Sequence, residues 1–422
     1  MITKLHTIFL NSNGISTDTR KIIKNSIFFA LKGGNFNANK FALEALEKGA
    51  TYAVIDEKKY YKNDKTILVN NVLETLQKLA TYHREQLNIP IIALTGSNGK
   101  TTTKELIKIV LSNKYKVTAT NGNLNNHIGV PLTLLSMDEN TEIGIVEFGA
   151  NNPKEIEFLA NITKPDYGYI TNFGKAHLEG FKSLEGVIKA KTELYDYLKE
   201  NMKTVFVNDN DAIQVLKSRK LKTIHFGEKK SKYYIEFINS NPFVTVKYNE
   251  TIIKTNLIGS YNYNNIAAAI TIGLHFKVAI LDIKIALENY KPTNNRSQII
   301  QKNSNKIILD AYNANPTSME CAIQNVIQLK DPFKIAILGD MFELGKYAKE
   351  EHQKITDLLN TSNLNEVYLL GENFYTVNTN SENIKKYKTF KEFKEEFEVP
   401  KNATILIKAS RGMALERVLD LI

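Results

Sequence analysis

The sequence predicts an α/β protein of three domains: a small N-terminal α/β domain, a central mononucleotide-binding domain with a phosphate-binding loop (P-loop) on a parallel sheet, and a C-terminal Rossmann-like α/β domain. Two observations predict this fold class. Short apolar runs alternate with helical stretches along most of the chain, as in proteins with parallel sheets. The 422 residues are 43% hydrophobic, which is enough for two or three separate cores. We expect the domains to span 1–88, 89–293 and 294–422.

The first domain is predicted from two apolar strands with a helix between them. The strands are Ser26–Leu31 and Tyr52–Ile55, and a Gly-Gly turn follows the first. A second helix, Val72–Leu87, ends the domain before a short linker that contains proline. Asp18 and Arg20 precede the first strand, where a loop can present them to a ligand, although a capping Asp and a surface Arg would give the same pattern.

A glycine loop between a buried strand and a helix organises the central domain. Gly96 and Gly99 allow backbone N–H groups to converge on phosphate oxygens, Lys100 adds positive charge, and the hydroxyl of Thr101 can bind Mg²⁺. The first glycine of the eight-residue P-loop pattern is missing, so the loop is a shortened variant. A glycine turn used only for packing is the alternative. The residues expected to contact a nucleoside triphosphate are Gly96, Ser97, Asn98, Gly99, Lys100, Thr101 and Thr102.

Polar side chains follow other strands of the central domain. The loop 120–135 is rich in amides, and its Asn123 and Asn126 offer donors to phosphate or sugar oxygens, although any turn-rich connection uses such residues. Glu147 ends a predicted strand next to the expected Mg²⁺ position. His177 also follows a strand on the ligand-binding edge of the sheet, where a structural histidine is the alternative.

The third domain is predicted from four short apolar strands, KIILD, KIAILGD, VYLLG and TILIKAS. Each ends in a polar or glycine-containing turn, and ligands bind beyond the carboxyl ends of the strands in open α/β sheets. Capping of strands and helices is the alternative use of these side chains. The residues available to a ligand there are Asn313, Asn315, Asp340, Ser410 and Arg411.

Composition argues against several classes of protein. The net charge is +10, but the lysines are scattered among asparagines and glutamates, which favours an anionic small substrate over nucleic acid. No apolar stretch approaches the roughly 18 residues of a membrane span, and the N-terminal apolar patch is too short for a secretion signal. The single cysteine, Cys321, forbids an internal disulfide and fits a reducing cytoplasm. We expect its side chain to lie in a core rather than to act as a nucleophile.

Several motifs resemble those of the Mur ligases, the ATP-dependent enzymes that add amino acids to the cell-wall precursor. In the order seen in that family, they are TGSNGKTTTKE, TNGNLNNHIGVPLTLL, EFGA, TNFGKAHLEGF and KAKTELYD. Three further stretches, DAYNANPTSM, ILGDMFELG and KASRGMALE, resemble the branch of the family that joins D-alanyl-D-alanine to UDP-MurNAc-tripeptide. The resemblance covers all three domains and implies ATP as a substrate, two Mg²⁺ ions as cofactor, and a monomer.

The resemblance also implies a catalytic set. Lys100 and Thr101 would hold the β- and γ-phosphates and the first Mg²⁺, and Glu147 and His177 would complete the metal sites. Lys191 matches the lysine that the family carbamylates, in which CO₂ converts a cationic amine into an anionic oxygen ligand for Mg²⁺. From helix spacing alone, Lys191 is an ordinary charged residue between two other charged positions.

Further positions follow from the same resemblance. Asn265 matches an adenine-contacting asparagine, and Arg296 and Asp310 match residues that clamp the phosphates and the ribose from the third domain. Tyr261 stands where the family usually has histidine, and we leave it out of the predicted site. The residues expected to bind the uridine nucleotide are Ser16, Asp18, Arg20 and Asn37. The implied reaction runs through an acyl phosphate, and we expect the domains to close around the substrates.

Three other functions remain open from the sequence. One is a related ligase, either an enzyme that adds a diamino acid or a folylpolyglutamate synthetase. The diamino-acid ligases carry D-N-P-R in the third domain, and this sequence lacks that string. Another is a basic nucleoside triphosphatase acting on nucleic acid, against which the scattered lysines argue. The last is a homologue that only binds, which we would expect to lose Lys100, Glu147 or Lys191.

Overall fold

A computed structural model describes all 422 residues of the chain. The elements of its N-terminal domain are α1 (Ile2–Leu10), β1 (Ile15–Ser16), β2 (Ile27–Phe29), β3 (Lys32–Gly33), β4 (Phe36–Asn37), α2 (Ala42–Glu47), β5 (Tyr52–Ile55), β6 (Thr66–Leu68) and α3 (Val72–Gln86). Strands β1, β2, β5 and β6 form a parallel sheet in that order, and β3 and β4 form a separate hairpin. The predicted strand Tyr52–Ile55 is confirmed, whereas the strand predicted over Ser26–Leu31 covers only three residues.

The central domain carries the longest series of alternating strands and helices. Its elements are β7 (Ile91–Thr95), α4 (Lys100–Leu111), β8 (Val117–Ala119), α5 (Gly129–Leu134), β9 (Ile143–Glu147), α6 (Glu155–Thr163), β10 (Tyr167–Ile170), α7 (Leu178–Phe181), α8 (Leu184–Glu200), β11 (Thr204–Asn208), α9 (Ala212–Ser218), β12 (Lys222–Phe226), β13 (Glu236–Asn239), β14 (Phe243–Tyr248), β15 (Thr251–Ile258), α10 (Asn262–His275) and α11 (Ile280–Asn289). Six of its strands form a parallel sheet in the order β12-β11-β10-β7-β9-β8. Strands β7 and β9 are buried along their whole length, which explains their continuous apolar sequences.

The C-terminal domain contains a second six-stranded sheet. Its elements are β16 (Gln298–Lys302), β17 (Asn305–Asp310), α12 (Pro316–Gln328), β18 (Lys334–Gly339), α13 (Ala348–Asn360), β19 (Glu366–Leu370), α14 (Glu372–Tyr375), β20 (Ile384–Tyr387), α15 (Phe390–Glu396) and β21 (Thr404–Lys408). The order is β16-β17-β21-β18-β19-β20, in which only β16 is antiparallel to its neighbour. The four predicted strands of this domain are confirmed as β17, β18, β19 and β21.

The structure also contains elements that apolar runs did not predict. Strands β13, β14 and β15 form an antiparallel sheet within the central domain, and β16 and β20 form the edges of the C-terminal sheet. These strands are partly exposed, so their sequences mix apolar and polar residues and resemble loops. None of the helices combines the length and the apolar composition needed to cross a membrane.

Contacts between domains fix the arrangement around the central sheet. One apolar cluster extends from Leu5 in the N-terminal domain through Val146 in β9 to Leu338 in β18. At the boundary between the first two domains, Arg84 Nη2 of α3 lies 2.7 Å from Asp166 Oδ2. The N-terminal and C-terminal domains therefore both pack against the central domain.

Candidate active site

The P-loop joins β7 to α4 and has the backbone geometry that its glycines predict. Gly96 and Gly99 have φ angles of +144° and +78°, which other residues rarely adopt. A Cβ atom on Gly96 would lie 2.0 Å from Thr171 Oγ1, so the position has no room for a side chain either. The Lys100 ammonium folds back over the loop and donates to the carbonyl oxygens of Gly96 and Ser97 at 2.7 and 3.3 Å.

Glu147 ends β9 beside this loop. Its Oε1 atom accepts a hydrogen bond from Asn125 Nδ2 at 2.8 Å and another from Thr101 Oγ1 at 3.3 Å. Its Oε2 atom is buried without a hydrogen-bond donor, and the nearest cation, the Lys104 ammonium, is 3.8 Å away. Burial lowers the pKa of Lys100, while the charge of Glu147 opposes this shift. A buried carboxylate oxygen without a donor, beside a threonine hydroxyl, fits the ligands that Mg²⁺ prefers.

Lys191 on α8 is completely buried. Its Nζ atom lies 3.5 Å from the carbonyl oxygen of Ala150, which lines the cavity described below, and 5.3 Å from the centre of the Phe181 ring. Burial lowers the pKa of Lys191 well below its ordinary value, and the charge of Lys100 lowers it further, although two glutamates in the vicinity oppose the shift. A lowered pKa increases the share of the neutral amine, which can react as a nucleophile, whereas an ammonium cannot.

His177 lies immediately before α7 and has a positive φ of 52°. Its Nδ1 atom is 2.6 Å from Oε2 of Glu343, a residue of the C-terminal domain. Nowhere in the structure do three or more histidine, cysteine or carboxylate side chains form a cluster that could hold a metal ion. Only two of the predicted ligands, Glu147 and His177, are a carboxylate or a histidine. Oxygen atoms from other groups would therefore have to complete the coordination of a metal ion here.

Ten residues of the linker (residues 290–297, between α11 and β16) and of the C-terminal domain form the opposite wall of the site. The guanidinium carbon of Arg296 lies 3.6 Å from the centre of the Tyr312 ring, and its buried Nε–H has no acceptor. A buried donor of this kind is available to an anionic ligand. Asp310 Oδ2 lies 2.5 Å from the ammonium of Lys408, and its Oδ1 accepts from the backbone N–H of Ser297 at 2.9 Å.

A cavity of about 600 Å³ brings these groups together between the central and C-terminal domains. Its two sides are joined where Asn315 Nδ2 donates to Asn98 Oδ1 at 2.7 Å. Asn265 on α10 also faces the cavity, and its Oδ1 accepts from Thr103 Oγ1 at 3.0 Å. The predicted site residues that line the cavity are Ser97, Asn98, Gly99, Lys100, Thr101, Thr102, Asn123, Asn126, Glu147, His177, Asn265, Arg296, Asp310, Asn313 and Asn315.

Comparison with known proteins identifies the family. The chain matches the Mur ligase middle domain over residues 94–273 and the Mur ligase, glutamate ligase domain over residues 295–418. It is 37% identical to a UDP-N-acetylmuramoyl-tripeptide–D-alanyl-D-alanine ligase from Buchnera aphidicola subsp. Baizongia pistaciae, over 99% of this chain and 93% of the relative. The chain belongs to the Mur ligase family. The ligase of the same name from Bacillus subtilis is 35% identical over 97% of this chain and 93% of the relative.

Solved structures agree with the three-domain Mur ligase fold. A crystal structure of MurF from Acinetobacter baumannii has a TM-score of 0.87 and 29% identity, covering 96% of this chain and 92% of that one. The MurF ligase from Thermotoga maritima in complex with ADP has a TM-score of 0.84 and 27% identity, covering 98% of this chain and 97% of that one. The predicted fold class is therefore confirmed.

The residues predicted to bind a uridine nucleotide lie in the N-terminal domain and do not line this cavity. Asp18 and Arg20 pair with each other at 2.7 Å, and the hydrogen bonds from Arg20 lower the pKa of Asp18 to about 2. Asn37 Nδ2 donates to Glu57 Oε1 at 2.7 Å, and Ser16 is buried. Their role in this Mur ligase stays a prediction.

Three predicted residues of the C-terminal domain also lie outside the cavity lining. The carboxylate of Asp340 accepts hydrogen bonds from the backbone N–H groups of Asn373 and Phe374 at the start of α14, both at 2.9 Å. Ser410 Oγ accepts from a backbone N–H at 2.8 Å, and Arg411 pairs with Glu416 at 2.9 Å on the surface. These side chains follow strand ends as predicted, but Asp340 and Ser410 are bonded to neighbouring backbone groups, and Arg411 is paired with Glu416.

Several residues of the site were missed from the sequence. Tyr261 lines the cavity although it departs from the family pattern, and Tyr312 and Lys408 lie in quoted motifs without having been assigned a role. The Lys104 ammonium lies 3.8 Å from Glu147 Oε2. Because Lys104 follows Lys100 by four residues on the same helix, the spacing predicts that both side chains lie on one helix face. Cys321 is half-buried and lines the cavity, so the prediction of a core position is wrong, because α12 turns this face toward the site.

Proposed function

We propose that this Mur ligase joins D-alanyl-D-alanine to UDP-MurNAc-tripeptide and converts ATP into ADP and phosphate. The product would be UDP-MurNAc-pentapeptide. The observation that carries the proposal is the single cavity in which the P-loop lysine, Glu147 and the C-terminal domain residues meet. Relatives whose names state this activity match the chain along nearly its whole length, which supports the choice of substrates.

The first step activates a carboxylate beside another anion. An oxygen of the terminal carboxylate of the tripeptide attacks the γ-phosphorus of ATP, and the bond to the β,γ-bridging oxygen breaks, so ADP leaves and an acyl phosphate forms. Lys100 holds its ammonium over the loop, where it would neutralise negative charge that grows on the phosphates. The free Nε–H of Arg296 supports a second phosphate contact from the opposite wall.

The second step forms the peptide bond. The free amine of D-alanyl-D-alanine attacks the acyl carbon, the nitrogen loses a proton, and phosphate leaves with the electron pair of the C–O bond. Water would hydrolyse the acyl phosphate, so the site has to exclude it. The hydrogen bond between Asn98 and Asn315 supports closure of the two domains around the reacting groups.

Bound Mg²⁺ would neutralise the phosphate oxygens and polarise the γ-phosphoryl group. We expect two ions, with Thr101, Glu147, His177 and a modified Lys191 as protein ligands. The buried Oε2 atom of Glu147, which has no donor, supports this assignment. Lys191 becomes an oxygen ligand if its amine attacks CO₂ and loses a proton to give a carbamate, and its complete burial supports a neutral amine.

The remaining substrate contacts are assigned by position. The N-terminal residues Ser16, Asp18, Arg20 and Asn37 would bind the uridine nucleotide. For the dipeptide, Asn313 and Asn315 are better placed than Asp340, because they line the cavity and Asp340 does not. Since ATP and the UDP-linked precursor are cytoplasmic metabolites, we expect the protein to act in the cytoplasm, as a monomer.

Phosphate release tests the proposal. We expect release from ATP and UDP-MurNAc-tripeptide to require D-alanyl-D-alanine. Release with a dipeptide precursor and a diamino acid, but not with D-alanyl-D-alanine, would assign the protein to the preceding ligation instead. No release with either pair would contradict the ligase function, while ADP binding would still report on the P-loop.

A further inference from the structure

Tyr261 immediately precedes α10 and lines the cavity between the central and C-terminal domains. Its ring packs against Gly259, which has a φ of +80°, and a Cβ atom on that glycine would lie 2.3 Å from the ring. The turn therefore requires glycine at position 259, both for its backbone angle and for the space that the tyrosine ring fills. Its hydroxyl lies 2.9 Å from Oγ of Ser297, in the linker to the C-terminal domain.

From Ser297, hydrogen bonds continue into the C-terminal domain. The backbone N–H of Ser297 donates to Asp310 Oδ1 at 2.9 Å. The other oxygen of Asp310 accepts from Lys408 Nζ at 2.5 Å, and the same ammonium lies 3.3 Å from the carbonyl oxygen of Asn313. Tyr261, Ser297, Asp310 and Lys408 thus form a continuous polar chain that starts in the central domain and ends in the C-terminal sheet.

The linker has positive φ angles at the point where the polar chain crosses it. Asn295 and Ser297 have φ angles of +51° and +52°, which cost conformational energy and persist only when surrounding contacts hold them. The carbonyl oxygen of Asn295 accepts from the backbone N–H of Tyr312 at 3.1 Å. At the other end of the linker, the Tyr290 hydroxyl donates to Glu105 on α4 at 2.5 Å. Both domains therefore hold the linker in place.

We propose that Tyr261 is a positioning residue for nucleotide binding, which acts through Ser297 to hold Asp310 and Lys408 against the central half of the cavity. The proposal rests on the proposed function in one respect, namely that the cavity binds a nucleoside triphosphate. This polar chain contacts the wall that contains Asn265, Arg296 and Asp310, and none of the residues predicted to bind the uridine nucleotide lines that cavity.

The chemistry of the tyrosine suits this role. Burial raises the pKa of Tyr261, and the negative charge of Asp310 raises it further, so the hydroxyl stays protonated and can donate. Loss of one hydrogen bond between neutral partners changes an equilibrium constant by a factor of about 3 to 10. The polar chain reaches the side chain of Asp310 on the nucleotide wall, whereas it meets Asn313, a residue assigned to the dipeptide, only at the backbone carbonyl. The effect should therefore fall on the nucleotide and leave the affinity for the other two substrates nearly unchanged.

The experiment measures ADP binding by calorimetry for the full-length protein and for Tyr261→Phe, Ser297→Ala and the double variant. We expect each single substitution to weaken ADP binding about 3- to 10-fold. The double variant should bind ADP about as well as the single variant with the lower affinity, because both substitutions remove the same contact. Tyr263→Phe is the matched control, because the Tyr263 hydroxyl donates to Ile235 O at 2.6 Å, outside the cavity. It should leave ADP binding unchanged.

Steady-state kinetics give the second readout. In Tyr261→Phe we expect the KM for ATP to rise by a similar factor, with the KM values for the other substrates within twofold. ADP binding within twofold of wild type, additive losses in the double variant, or an equal rise in all three KM values would overturn the proposal. If wild type binds ADP but catalyses no ligation, the proposed function fails, and the binding results still decide the role of Tyr261.

Discussion

Nδ1 of His177 and Oε2 of Glu343 lie 2.6 Å apart, although the histidine belongs to the central domain and the glutamate to the C-terminal domain. A second ion pair accompanies this contact, with Lys175 Nζ 2.9 Å from Glu351 Oε1. Carboxylates that contact one nitrogen of a histidine orient the ring and leave the other nitrogen for a metal ion. The position of a predicted metal ligand therefore depends on the approach of the C-terminal domain.

Replacing Glu343 with glutamine tests this dependence. We expect kcat to fall about tenfold and the Mg²⁺ concentration for half-maximal rate to rise. Loss of a group that orients a metal ligand typically lowers metal affinity or activity by about 10- to 100-fold, and the partial exposure of Glu343 favours the lower end of this range. Initial rates at varied Mg²⁺ measure both effects. Glu350→Gln is the control, because Glu350 is exposed and pairs with Lys354 on the same helix. An unchanged Mg²⁺ dependence in Glu343→Gln would count against the coupling.

Lys100→Met should remove phosphate release without unfolding the protein. The ammonium is the P-loop cation, and loss of one charge-stabilising group in an active site typically costs 10²–10³ in kcat. Because burial lowers the pKa of Lys100 in the folded state, the charge costs desolvation energy, and we expect an unchanged or higher melting temperature. Lys108→Met, at an exposed position of α4, should keep full activity. Activity retained in Lys100→Met would refute the assignment.

Lys191→Ala should be inactive and partly restored by short-chain carboxylic acids. An acid that enters the space left by the side chain would supply the carboxylate oxygens that the carbamate provides in the wild type. Lys189→Ala, on an exposed face of α8, is the matched variant and should be active without added acid. If formate and acetate leave Lys191→Ala inactive while it still binds ADP, the carbamate assignment loses its support.

Two buried histidines predict a loss of stability in mild acid. His6 Nε2 lies 3.0 Å from His83 Nδ1, and His83 Nε2 lies 2.8 Å from the carbonyl oxygen of Met137 in the central domain. Burial lowers the pKa of both histidines, and the neighbouring charge of His83 lowers that of His6 further. The unfolded chain therefore binds protons more readily, so the stabilisation is complete above the ordinary pKa of 6.5 and is lost as the pH falls through the lower folded values.

Urea unfolding at about pH 7.5 and about pH 5.5 measures this effect. The free energy of unfolding should fall by at most about 1.4 kcal/mol per pH unit for each histidine. In His83→Gln the difference between the two conditions should shrink, because one titrating group is gone. The same difference in wild type and variant would mean that other groups cause the pH dependence.

The fold and the P-loop could be predicted from local sequence. Strands β7 and β9 are buried on both faces, so their sequences are continuously apolar, and the residues that follow them must lie at one edge of the sheet. Lys100 and Glu147, which follow these two strands, do line the same cavity. Lys191 could be identified only by resemblance to the family, because helix spacing does not reveal which of several lysines becomes buried.

Other residues could not be predicted because tertiary neighbours decide their role. Asp340 follows a strand at the expected edge, but the start of α14 uses both of its carboxylate oxygens. Lys408 is a charged residue at the end of a strand, a position that is usually solvated. In the structure it is buried instead, because Asp310 on the neighbouring strand pairs with it. Tyr261 departs from the family pattern, so the resemblance predicts no role for it, although the structure places it on the cavity wall.

The most direct test follows the oxygen atoms of the reaction. UDP-MurNAc-tripeptide labelled with ¹⁸O in its terminal carboxylate is incubated with ATP, Mg²⁺ and D-alanyl-D-alanine, and the products are analysed by mass spectrometry. We expect equal amounts of UDP-MurNAc-pentapeptide and phosphate, with one ¹⁸O atom in each phosphate, because the carboxylate oxygen leaves with the phosphoryl group. Unlabelled phosphate, or phosphate formed without the pentapeptide, would contradict this expectation.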